Sequence, residues 1–229
     1  MSQKLEYKFF SRPDYGFLIV NLQAGQSVQA EASVMASMDT NIRMKTSMKG
    51  GLMQGLKRKF LTGESLFINE FTAEGGPGEV TFAPGAIGDI EHYYVEKGKP
   101  LYLQSSAYVA SSLGVNLNTK WEGFRGFFSG MGLFLIKVEG EGDVFFNGYG
   151  ALVEIPVDGS FVVDTGCIAA FESSLQYKVE MIGGLKTTIL GGEGLVCHFR
   201  GQGKVWIQTR NVPPFADWLW PFRPVRNND

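Results

Sequence analysis

Polar and apolar positions alternate over short distances along this chain, and no apolar run is long. Phe17-Leu18-Ile19-Val20 is representative, about four apolar residues before polar Asn21 returns. A helix that spans a bilayer needs about 18 apolar residues, so the pattern predicts no such segment. Three stretches share one motif. The first reads Gly63-Glu64-Ser65-Leu66-Phe67, then Gly76-Pro77-Gly78-Glu79-Val80-Thr81-Phe82. The second reads Gly130-Met131-Gly132-Leu133-Phe134, then Gly140-Glu141-Gly142-Asp143-Val144-Phe145-Phe146. The third reads Gly192-Glu193-Gly194-Leu195-Val196, then Gly201-Gln202-Gly203-Lys204-Val205-Trp206-Ile207. Each is a small-residue turn, an apolar strand, a G-x-G turn and a second strand rich in β-branched and aromatic residues, which is a β-hairpin signature.

The likeness continues upstream. A turn glycine precedes an apolar residue by three positions at Gly25/Val28, Gly98/Leu101 and Gly159/Val162, and an alanine follows in an apolar strand at Ala36, Ala110 and Ala170. A further turn comes at Gly50-Gly51-Leu52, Glu122-Gly123-Phe124 and Gly183-Gly184-Leu185. The repeat is about 60–70 residues, too long for a solenoid rung or a propeller blade. The expected fold is all-β: one domain over 1–229, with pseudo-symmetric repeats at about 22–94, 95–156 and 157–210 and a tail from 211. These would pack as a sandwich or jelly-roll-like barrel. The best helical pattern, Asp39 to Lys59 with Met44, Met48 and Met53, is broken by Gly50, Gly51 and Gly55, so it reads as a strand and a glycine turn.

Composition supports that picture. Glycine supplies 30 of 229 residues, well above the average of about 7%, with no collagen period. The 18 Phe and 8 Tyr supply a large apolar core. Net charge is -2, so no global field selects nucleic acid or anionic lipid. Cys167 and Cys197 form no C-x-x-C pair, and the first residues contain no signal-peptide apolar region. Reduced thiols and a cytoplasmic location are expected.

The stretches LTGESLFINEFTA, GPGEVTFAP, VDTGCIAAFESSLQYKVE and GGLKTTILGGEGLVCHFRGQGKVWIQT, in that order and spacing, resemble the altered-inheritance-of-mitochondria family from about Leu22 to Arg210. The resemblance implies a fold grouped with the tryptophan RNA-binding attenuation proteins and a tendency to self-associate. It implies no assigned activity, and mitochondrial members are linked to organelle organisation and membrane-complex assembly. Kinship with an RNA-binding regulator is kinship of fold, which does not carry function.

Catalytic and metal chemistry find little support. His92 and His198 are the only imidazoles. His198 adjoins Cys197, and neighbours in a strand point to opposite faces, so they form no dyad; Cys167 with His198 is the pairing left open. Neither histidine has a second one nearby, so no imidazole-rich metal site or cofactor is expected. Glu91-His92 reads as a solvated strand end, and Glu139, Glu141 and Asp143 as a turn facing water. The glycine turns lack the Lys-Ser/Thr of a P-loop.

Two features have no threefold counterpart. Residues 41–60 hold Arg43, Lys45, Lys49, Lys57, Arg58 and Lys59 without an acid, beside Met35, Met38, Met44, Met48 and Met53. They form either a solvated loop or a surface for a protein, an anionic lipid or nucleic acid. The tail Val212-Pro213-Pro214-Phe215-Ala216-Asp217-Trp218-Leu219-Trp220-Pro221-Phe222 carries Trp218 and Trp220 among prolines that exclude a central strand. Docking on its own body is the first expectation; a neighbouring subunit or a membrane interface are the alternatives. The sequence thus points to a non-enzymatic, self-associating scaffold that binds a protein or membrane complex. The alternative is a small-ligand or nucleic-acid-binding regulator.

Overall fold

Short alternating segments bounded by glycine turns have few ways to bury their apolar face except as antiparallel sheets. The computed structural model describes residues 4–47, 67–118, 135–181 and 195–223, and most of them are strand. β1 (Glu6–Phe10) comes first. A first unit holds β2 (Phe17–Leu22), β3 (Ser27–Glu31), β4 (Met35–Met38), β5 (Ile42–Ser47), β6 (Ile68–Ala73) and β7 (Gly78–Phe82). A second holds β8 (Ile90–Val95), β9 (Leu101–Gln104), β10 (Tyr108–Ser112), β11 (Val115–Asn118), β12 (Leu135–Gly140) and β13 (Gly142–Asn147). A third holds β14 (Leu152–Asp164), β15 (Ile168–Glu172), β16 (Gln176–Met181) and β17 (Leu195–Gln208), and helix α1 (Val212–Leu219) follows.

The same pairings recur in each unit. The first strand pairs with the sixth, the second with the fifth, the third with the sixth and the fourth with the fifth, all antiparallel. In the third unit β14 and β17 each do the work of two strands, pairing without a break from Leu152↔Gln208 to Asp164↔Val196. A β-bulge falls at one place in all three: between Met35 and Ser37, Tyr108 and Ala110, and Ile168 and Ala170. It makes Ser37, not Ala36, the counterpart of Ala110 and Ala170.

The first two units each give half their strands to one sheet and half to the next, and the third keeps all of its strands in the last. The sheets therefore run β1-β2-β7-β4, then β5-β6-β3-β10-β13-β8, then β11-β12-β9-β15-β17-β14 with β16 also on β17. None closes on itself. The all-β class stands, while the expected barrel gives way to open sheets: each runs from one edge strand to another, β1 to β4, β5 to β8 and β11 to β14.

Side-chain alternation fixes which faces meet. Along β2 the residues Leu18, Val20 and Leu22 are buried while their neighbours are half-exposed. They join Val28, Phe71, Val80, Phe82 and Phe145 in one core cluster. Trp206, Phe146, Tyr108 and Leu103 anchor a second, and Phe171, Phe199 and Val205 a third. Each large side chain so buried contributes roughly 1.5–3 kcal/mol. The corner between first and second strands needs a left-handed residue, met by Gly25, Gly98 and Gly159 with φ of 78°, 83° and 102°.

Candidate interaction surfaces

Thiol and imidazole chemistry is kept apart by strand geometry. Cys197 pairs across to Val163 and Val179 and packs in the third core cluster. Burial pushes its thiol up to about 12, so it is not a thiolate at neutral pH. Cys167 packs against the same cluster. His198, one residue on from Cys197, takes the opposite face, beside Val162 and Lys178. The cysteine and histidine pairing left open by the sequence is thus separated by the sheet itself. His198 instead lines an open groove with Gln176, Tyr177, Lys178, Glu180 and Arg200, where Lys178 pairs with Glu180 at 2.9 Å.

The reading of Asp143 and His92 as solvated is corrected by the structure. Both faces of β13 are covered, so all six of its residues are buried and alternation leaves none facing water. Asp143 accepts hydrogen bonds from Leu5 N at 2.8 Å, from His92 Nε2 at 2.9 Å and from Ser112 Oγ at 3.4 Å. Burial pushes its carboxyl upward, but the hydrogen bonds from His92, Leu5 and Ser112, with the His92 charge, hold it below the ordinary carboxylate range. The acid sits between serine and histidine, so the imidazole cannot take the serine proton as a nucleophile's base must. The cluster pins the start of the chain to β8, β10 and β13. Nearby, Arg12 makes a two-pronged contact with Asp89 at 2.7 and 3.1 Å and reaches Glu91 at 2.8 Å.

Of the expected basic patch, Arg43 and Lys45 lie on β5, whereas Lys49, Lys57, Arg58 and Lys59 lie outside the described residues. Arg43 Nη1 is 3.6 Å from Glu74 Oε1, and Lys45 stands opposite Glu70 in the β5–β6 register. The acids missing from the local sequence arrive from β6, which holds Glu70, and from Glu74 just after it. What is described of the patch is therefore charge-balanced and gives nucleic acid little to hold.

The tail departs most from expectation. Val212 to Leu219 form a helix, with prolines at its first positions where their missing N–H costs nothing, and none of its residues is buried. Phe215, Trp218, Leu219 and Phe222 follow i, i+3, i+4, i+7 spacing, which sets one apolar stripe, and all four are exposed. Trp218 stacks between Phe215 and Phe222 at 6.0 and 5.6 Å, and the Arg223 guanidinium lies 3.4 Å from the Trp220 ring centroid. Phe215 touches Tyr149 of the body at 5.9 Å. Among the described residues, the ring contact between tail and body is this one, Phe215 on Tyr149. The i, i+3, i+4, i+7 spacing is the sequence signal for this helix, and prolines at its start are compatible with it.

Against known proteins, residues 7–210 match the family model described as mitochondrial biogenesis AIM24. An uncharacterised protein of Streptococcus pyogenes serotype M6 is 28% identical over 219 residues, covering 91% of this chain and 87% of that one. The crystal structure of a Streptococcus pyogenes protein solved in structural genomics superposes with a TM-score of 0.80 at 26% identity, covering 96% of this chain and all of the other.

Proposed function

The chain belongs to the mitochondrial biogenesis AIM24 family, and from that premise we propose that it is a non-enzymatic, self-associating β scaffold that works by binding. The observation that carries this reading is the helix α1. Its Phe215, Trp218 and Leu219, joined by Phe222 on the 3-10 turn Trp220–Phe222 that follows, make the stripe by which an amphipathic helix fills an apolar groove of another protein. A helix that lies on anionic membrane carries Lys and Arg along its polar face. Here Asp217 and Arg223 are the charges from Val212 to Arg223, which favours a protein groove over a lipid surface. Among the described residues the helix meets the body through the rings of Phe215 and Tyr149. The reading places the chain in the cytoplasm, where the buried Cys197 thiol would stay reduced.

The test is light scattering over a concentration series on the full chain and on a chain ending at Asn211, with tryptophan emission recorded with and without phosphatidylcholine vesicles. Concentration-dependent assembly, with emission that vesicles do not change, is the expected result. A strict monomer at every concentration would count against self-association. A blue shift on vesicles alone would move the helix from protein to membrane.

A further inference from the structure

Two joints hold the units together, and they are built alike. At the first, β10 pairs with β3 through Ala110↔Ala30, Ser111↔Gln29 and Ser112↔Val28. At the second, β15 pairs with β9 through Ala170↔Leu103, Phe171↔Tyr102 and Glu172↔Leu101. The rule is the third strand of one unit against the second strand of the unit before it. It leaves one half-joint at each end of the described chain. β4, the third strand of the first unit, ends its sheet; so does β14, whose second half is the second strand of the last unit.

These ends keep the shape of an engaged joint. Val162 stands across from His198 as Val28 stands across from Phe71 and Leu101 from Val138. Yet Val28 and Leu101 are 0% exposed and Val162 is 46% exposed. On the other half, Met38 is 40% exposed where its counterparts Ser111 and Phe171 are 0% and 1%. The third strand is also held the same way in all three units. Its last polar side chain accepts a backbone N–H from the sixth strand: Asp39 from Glu79 at 2.8 Å, Ser112 from Asp143 at 3.1 Å, Glu172 from Lys204 at 3.0 Å. The Asp39 amide donates inward to Glu79 O at 2.9 Å, so the peptide groups of Met38 point to the open side.

We propose that β4 of one copy pairs with the second half of β14 of another, antiparallel, in the register Ser37↔Asp164, Met38↔Val163 and Asp39↔Val162. This deepens the self-association reading and rests on it. Each pair has its precedent within the chain. The middle pair is where the engaged joints make their side-chain contact, Gln29 Nε2 donating to Ser111 Oγ at 2.9 Å and Tyr102 stacking on Phe171 at 5.0 Å. Met38 with Val163 is the apolar version. The third pair sets a polar residue against an apolar one in every joint: Ser112 with Val28, Glu172 with Leu101, Asp39 with Val162. Open edges are commonly protected by being short, but β10 and β15 are only one residue longer than β4 and pair over three positions. Pro156, which cannot donate to a ladder, blocks the first half of β14 and confines pairing to the second. The contact is head to tail, so copies add in series until a ring closes or a filament grows.

Two variants test this, each blocking one half-joint. Met38→Pro removes an N–H that faces solvent, a place where an edge strand tolerates proline. Val162→Glu places a second carboxylate across from Asp39 in the proposed register, where like charges repel. Sedimentation velocity on the wild-type chain should give assemblies that grow with concentration, and each variant alone should stay monomeric with an unchanged circular dichroism spectrum. Mixed in equal amounts, the two variants keep one live half each and should form a dimer and nothing larger. Variants that assemble like the wild type overturn the β4–β14 joint while leaving self-association through another surface. Monomeric variants that fail to dimerise on mixing also overturn it. A wild-type chain that never assembles overturns the joint and the self-association reading together.

Discussion

Asp143 and Trp218 invert the usual places of their residue types. The carboxylate is 0% exposed and the indole 63% exposed. Asp143 is tolerable because Leu5, His92 and Ser112 supply inside the fold the hydrogen bonds that water would have given. Among the described residues Trp218 has no comparable compensation, with ring contacts to Phe215 and Phe222 as its share of cover. The difference teaches that burial records whether partners are present in this chain. A buried polar group with its partners is structure, and an exposed apolar stripe without them is an unfinished contact.

The comparison can be broken most severely at the core that both regions depend on. Trp206→Ala, which removes an indole packed edge-on against Tyr93 and Phe146 at 5.5 and 5.7 Å, should cost about 3–5 kcal/mol in urea unfolding. Asp143→Ala should follow at about 3 kcal/mol, since it leaves the Leu5 amide and His92 without their acceptor. A change below about 0.5 kcal/mol would mean that the cluster is not holding the start of the chain.

Acid should sharpen the same point more gently. The Asp143 carboxyl is held below its unfolded value, so its contribution is complete above about pH 4 and fades as pH falls through the folded value. Unfolding followed against pH should show this loss, and Asp143→Asn should abolish that part of the dependence. At the other pole, Trp218→Ser with Phe222→Ser should change stability by less than about 0.5 kcal/mol, because neither side chain is buried. Partner-binding assays, rather than unfolding, are where that double change should register.

The all-β class was legible because glycine turns at Gly25, Gly98 and Gly159 punctuate β-branched and aromatic runs, and those glycines do adopt left-handed φ. The position of Ser37 was not, since a bulge adds one residue without a mark in composition. Asp143 escaped because alternation assumes one wet face, and β13 has none. The basic segment looked unbalanced because Glu70 and Glu74 join Lys45 and Arg43 only through the β5–β6 pairing. The helix of the tail was written in its spacing, but prolines read as strand breakers concealed that they also start helices.

Where the first two units turn a corner at Gly25 and Gly98, the third carries β14 and β17 straight through, with Gly159 opposite Gly201 at the bend. A strand shared by two halves of a unit makes them fail together. Opening one half of that ladder strips the other of the register that aligned it, so the third unit melts as one cooperative block. The first two units, divided at their corners, can yield in smaller steps. The open second half of β14 therefore belongs to the least divisible part of the molecule.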